Sequence, residues 1–147
     1  MKKLNKKAAT PLCGGFDRGA TPPFKNSKSQ NWFESLGYAL SGIRQTITQE
    51  RNFRIQIFLG IVAVITCIIF RVDAMHFFMV AFAIFFVLCM ELMNTAIEAL
   101  TDLACGGKQH PLAKLAKDVA AGAVLLASVF ALVVGAIVAM SIIGRYV

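Results

Sequence analysis

Charged side chains are scarce in this chain. Of its 147 residues, 57% are hydrophobic and only 16% charged, whereas an ordinary soluble domain carries about a quarter charged residues. That deficit excludes a typical soluble fold, and the length leaves no room for two ordinary catalytic domains. Acidic residues are the rarer sign, eight against 15 Lys and Arg, for a net charge of +7. In so apolar a chain this excess points to a membrane surface or a phosphate partner, not to nucleic acid. Cysteines are few and scattered. Cys13, Cys67, Cys89 and Cys105 form no CxxC and no Cys/His cluster at zinc spacing, so four free thiols are expected. Strand-like alternation is missing as well, which leaves helices as the expected elements.

Residues 1–30 carry no apolar period, and Pro11, Pro22, Pro23 and seven Lys/Arg fall within them. They lack the apolar core of a cleavable signal peptide and are expected to form a disordered basic tail. The pattern changes at residue 31. Trp32, Leu36, Leu40, Ile43 and Ile47 recur at helical spacing and fall within about 80° of arc. A helix over 31–50 lying in the plane of a membrane interface is predicted, with Trp32 and Tyr38 at headgroup depth. Three long apolar runs follow, at about 53–71, 74–103 and 115–143, each able to supply the roughly 20 residues that cross a bilayer. The predicted fold class is therefore an all-α membrane protein, with an amphipathic amino-terminal surface helix and three transmembrane helices over 31–147.

Lys and Arg are distributed unevenly. Ten lie at or before Arg54, Arg71 stands alone after the first run, Lys108, Lys114 and Lys117 follow the second, and Arg145 lies near the end. Positive-inside counting puts the amino terminus and the second loop in the cytoplasm. On the third span Ala123, Ala127, Ala131, Gly135 and Ala139 form a small-residue ridge. Such ridges let helices approach closely in lipid, so self-association is expected, with packing inside the chain as the other use of the ridge.

The segment with most chemical content is Glu91-Leu-Met-Asn-Thr-Ala-Ile-Glu-Ala-Leu-Thr-Asp102. On a helix Glu91, Asn94, Glu98 and Asp102 share one stripe about 80° wide. Ionisable groups within spans are costly and by default mark a functional site. Helix-end carboxylates already at the headgroups are the bland alternative, strongest for Asp102. Glu50-Arg-Asn-Phe-Arg54, Lys108-Gln-His110 and Lys117-Asp118 would reach the same face of the membrane. Glu50 and Glu98 could hold a hard divalent cation, and Lys117, with Lys108 and His110, could meet phosphates. Arg51, Arg54 and Lys114 read singly as interfacial snorkelling residues. No Walker A loop and no protein-kinase signature is present.

Glu91-Leu-Met-Asn-Thr-Ala-Ile-Glu-Ala, with His110-Pro-Leu-Ala-Lys-Leu-Ala-Lys-Asp-Val-Ala-Ala-Gly-Ala-Val, resembles the small prokaryotic membrane lipid kinases, the diacylglycerol kinase and undecaprenol kinase family. Glu50-Arg-Asn-Phe-Arg-Ile is similar to the Gram-positive undecaprenol kinase form. The likeness runs from about Trp32 to the end. It departs at Asn31, where a basic residue is usual, and at Ala39 and Ala121, where family serines stand. The resemblance implies a homotrimer in a prokaryotic plasma membrane, with cytoplasmic active sites between protomers that move the γ-phosphate of ATP to a lipid alcohol with Mg²⁺. By position it implies Glu91 as catalytic base, with Asn94 and Lys117 beside it, and Glu50 and Glu98 as metal ligands. Tyr38, Lys108, Gln109, His110, Lys117 and Asp118 are the implied nucleotide contacts.

The chemistry of the residues agrees. Glu91 is deepest in the stripe, where desolvation favours proton abstraction from a lipid hydroxyl. Undecaprenol is the expected acceptor, diacylglycerol the second, and a small transporter or channel subunit conducting along the acidic stripe the reading from another class.

Overall fold

The structure, a computed structural model, describes residues 32–106 and 108–146. The basic tail expected over 1–30 lies outside them. Among the described residues there are four helices: α1 (Trp32–Gln49), α2 (Arg51–Ile69), α3 (Ala74–Cys105) and α4 (Pro111–Tyr146). The last three are long and apolar enough to cross a membrane.

The helix ends follow local chemistry, and that chemistry moves several boundaries from those expected. Glu50 alone is extended between α1 and α2, with φ −93° and ψ 114°, so the first span resumes as helix at Arg51 and not at 53. Arg54 Nη1 donates to the carbonyl of Thr48 at 3.1 Å, which satisfies a free carbonyl of the last turn of α1 and pins the corner. Arg54 is thus a cap as well as an interfacial cation. The span closes at Ile69, where Phe70 and Val72 bond back to Thr66 and Cys67. Asp73 caps α3 by accepting from the N–H groups of Met75 and His76 at 3.1 and 3.2 Å.

At its other end α3 continues past 103 to Cys105, because the residue able to stop it is Gly106, left-handed at φ 54°. The third span starts at Pro111, not 115. Proline suits a first helical position, and the His110 ring caps the turn by accepting from Leu112 N–H at 3.2 Å.

α3 is the central post. Its contact with α4 is the most extensive among the described residues, α2 packs on it less, and α1 touches α2 and α3 only lightly. Cys67, Val80, Ala83, Val134 and Val138 form the buried core. The small-residue ridge on α4 is divided by this packing. Ala127 is 1% exposed and Ala131 half-buried, while Ala123, Gly135 and Ala139 remain uncovered. Between α2 and α4, over the face of α3, lies an apolar cleft of about 520 Å³, lined by Gln56, Leu59, Cys67, Leu88, Ser128 and Val138 among others. The apolar face of α1, from Trp32 to Ile47, is exposed along its length, as an interfacial helix requires.

Candidate active site

The stripe expected on α3 is present and sits at the junction of three helices. At 1.5 Å per residue, Glu91 lies about 26 Å along α3 from Ala74, Asn94 about 30 Å, Glu98 about 36 Å and Asp102 about 42 Å. A hydrocarbon core is about 30 Å thick. If the core begins at Ala74, the stripe passes through its far edge, with Glu91 just inside the apolar layer and Glu98 and Asp102 beyond it.

Glu91 is the buried member, 3% exposed. Its Oε2 accepts from Gln56 Nε2 of α2 at 3.1 Å, a contact across two helices that sequence reasoning missed. The available signal was a lone amide in the run from Phe53 to Phe70, where a polar side chain needs a partner. One turn further on, Asn94 Nδ2 donates to Glu98 Oε1 at 2.9 Å. The amide oxygen of Asn94 is buried and has no partner among the described residues, and neither has that of Gln56.

At the polar end of the stripe, Lys117 Nζ of α4 meets Asp102 Oδ1 at 2.6 Å, and the charge of Glu98 reaches the same ammonium. The adjacent Asp118 pairs instead with Lys114, at 3.8 Å between exposed groups. Such a pair contributes little. Lys117 therefore joins the stripe, while Asp118 looks along its own helix.

The remaining expected site residues are less closely tied. Glu50 is half-buried at the corner between α1 and α2, and its carboxylate makes no cap bond. Tyr38 is exposed on α1, and Lys108 and Gln109 are exposed before α4. No hydrogen bond or ion pair joins any of these four side chains to the stripe among the described residues. His110 spends Nδ1 on capping α4, which leaves Nε2 as the ring nitrogen available to a ligand.

The donor set around Glu98 suits magnesium. Asn94 steadies Glu98 Oε1 through its N–H, which leaves the other carboxylate oxygen of Glu98 as the hard oxygen a cation would take. Among the described residues no three of His, Cys, Asp and Glu gather into a cage. Magnesium needs none when one or two carboxylates and substrate phosphates complete its shell.

The arrangement thus offers a buried carboxylate beside an apolar cleft, then an amide–carboxylate pair, then a cation. Residues 37–139 match the family model described as prokaryotic diacylglycerol kinase. The chain is 38% identical over 120 residues to a diacylglycerol kinase of Synechocystis sp., which covers 80% of this chain and 69% of that protein. It is 35% identical over 107 residues to an undecaprenol kinase of Bacillus subtilis, with 73% and 86% covered. To a diacylglycerol kinase of Escherichia coli it is 31% identical over 111 residues, with 76% and 90% covered. With three membrane-capable helices and a match over most of its length, this chain belongs to the prokaryotic diacylglycerol kinase family and is a lipid kinase.

Proposed function

We propose that the protein transfers the γ-phosphate of ATP, with Mg²⁺, to the hydroxyl of a membrane lipid alcohol at the cytoplasmic face of a prokaryotic plasma membrane, with undecaprenol as the acceptor. The observation that carries this reading is Glu91, buried and bonded to Gln56 where the apolar cleft ends. The α3 wall of that cleft stops at Leu88, one turn short of Glu91. A hydrocarbon chain lying in it would bring a terminal hydroxyl to the carboxylate. The Glu50-Arg-Asn-Phe-Arg54 segment favours a polyprenyl alcohol. Diacylglycerol is the second reading, favoured by the likeness to the Synechocystis enzyme.

Glu91 takes the hydroxyl proton as the oxygen attacks, the work of a positioned general base. Lys117 swings from Asp102 to the phosphates, where its charge counters that developing in the transition state. Glu98 and Glu50 would hold the metal, with Asn94 orienting Glu98 through its N–H, and the bound ion would supply positive charge against the phosphates. Lys108, Gln109, His110 and Asp118, near the start of α4, meet the nucleotide, with Tyr38 reaching it from α1. Ala123, uncovered on α4 and outside the cleft, offers a close approach to a second copy in a homotrimer. Mixed micelles offering both alcohols with Mg-ATP test the acceptor. A higher kcat/KM for undecaprenol supports the reading, and a higher value for diacylglycerol overturns it.

A further inference from the structure

Gln56 is named by no motif, yet it is the side chain that α2 presents to Glu91. Its Nε2 donates to Glu91 Oε2, it lines the apolar cleft, and its own Oε1 is buried without a partner. A buried carbonyl oxygen left unpaired is costly and calls for an explanation. An amide can serve both states of a carboxyl group, because it has N–H for the carboxylate and a carbonyl oxygen for the acid.

We propose that Gln56 is the positioning residue of Glu91. It holds one carboxylate oxygen so that the other faces the lipid hydroxyl, and it receives the carboxylic O–H on Oε1 once the proton has moved. The inference rests on the kinase reading above. In the step, the alcohol oxygen bonds to the γ-phosphorus while the bond from that phosphorus to the β–γ bridging oxygen breaks. ADP leaves with the electron pair, and the alcohol proton goes to Glu91. Oε1 of Gln56 then has the donor it lacks before transfer. Without this amide the buried carboxylate has no partner from α2 and is free to turn.

The test uses the purified full chain in mixed micelles with Mg-ATP and each lipid alcohol. Gln56→Leu removes donor and acceptor together. The expected result is a fall in kcat on the order of tenfold to a hundredfold, a fraction of what a general base supplies. KM for Mg-ATP stays unchanged. The acidic limb of the kcat/KM profile moves, because the side chain that bonds the carboxylate is gone. Gln56→Glu keeps the length and loses the N–H, so activity falls at neutral pH and returns in part toward acid, where a shared proton restores one hydrogen bond. A residue that only filled space would not move the pH profile. If Gln56→Leu fails to assemble, Gln56→Glu carries the test.

Wild-type kcat and an unmoved pH profile in both variants overturn the inference while leaving the kinase reading intact. A wild-type chain that phosphorylates neither alcohol removes the kinase reading and the inference together.

Discussion

Gly60 controls how closely α2 can approach α3. A Cβ built there would stand 2.9 Å from Cγ2 of Ile84, where ordinary contact begins near 3.4 Å. Cγ2 sits on the β-branch of Ile84, which is stiff at χ1, so Gly60→Ala must move the helices apart by about half an ångström or more. Overpacking of this kind costs about 1–3 kcal/mol. Gly60 is one turn from Gln56 on the same face of α2, so the separation also stretches the 3.1 Å bond to Glu91 toward the limit of a hydrogen bond. Gly60→Ala is therefore expected to lower both resistance to denaturation in mixed micelles and kcat. Gly135→Ala, where nothing lies within 4 Å of a Cβ, should leave stability unchanged. Ile84→Leu conserves volume and removes Cγ2, so combined with Gly60→Ala it should recover most of both losses. If Gly60→Ala is as stable and active as wild type, or if Ile84→Leu rescues nothing, the proposed coupling of packing to the carboxylate is wrong.

Four further outcomes are expected. Asn94→Ala should raise the Mg²⁺ concentration giving half-maximal activity about 10–100-fold, the usual cost of losing a group that orients a metal ligand; Glu98→Ala should abolish Mg²⁺ dependence with activity, and a Mg²⁺ titration separates the two. Lys117→Met should raise KM for Mg-ATP on the order of tenfold, because one charge-assisted contact to phosphate is lost, as steady-state kinetics will report. The Asp73 carboxyl is held below its ordinary value of 3.8, first by the His76 backbone N–H and then by the His76 side chain. A depressed value means that its stabilisation is complete above the ordinary value and is lost as pH falls through the folded one. The Tm of wild type should therefore drop on acidification below about pH 4 more steeply than that of Asp73→Ala.

The parts of this molecule legible in its sequence are those governed by helical period and hydropathy. Three apolar runs and the stripe of Glu91, Asn94, Glu98 and Asp102 need no more than residue order, because a 3.6-residue repeat fixes which side chains share a face. Contacts between helices are not written that way. Lys117 and Asp118 are adjacent in sequence and read together as phosphate-end residues, but neighbours in sequence do not share a helical face. Lys117 meets Asp102 across the gap from α4, and Asp118 takes Lys114 one turn back. Gln56 was obscured because a single amide in an apolar run has no periodicity of its own, and its meaning appears only when α2 lies against α3. The division of the α4 ridge has the same cause, since Ala127 and Gly135 look equivalent until α3 covers one of them. Boundaries shifted where a cap decided them: His110 and Pro111 begin α4 early, and Gly106 ends α3 late.

The most direct measurement is transfer of labelled γ-phosphate from Mg-ATP into lipid by the purified protein in mixed micelles, set beside Glu91→Gln. Labelled lipid phosphate from wild type, with loss of at least about a hundredfold in the variant and an unchanged KM for Mg-ATP, is what a buried base at Glu91 predicts. Equal transfer by both proteins, or no labelled lipid from either alcohol with the chain folded, would contradict it.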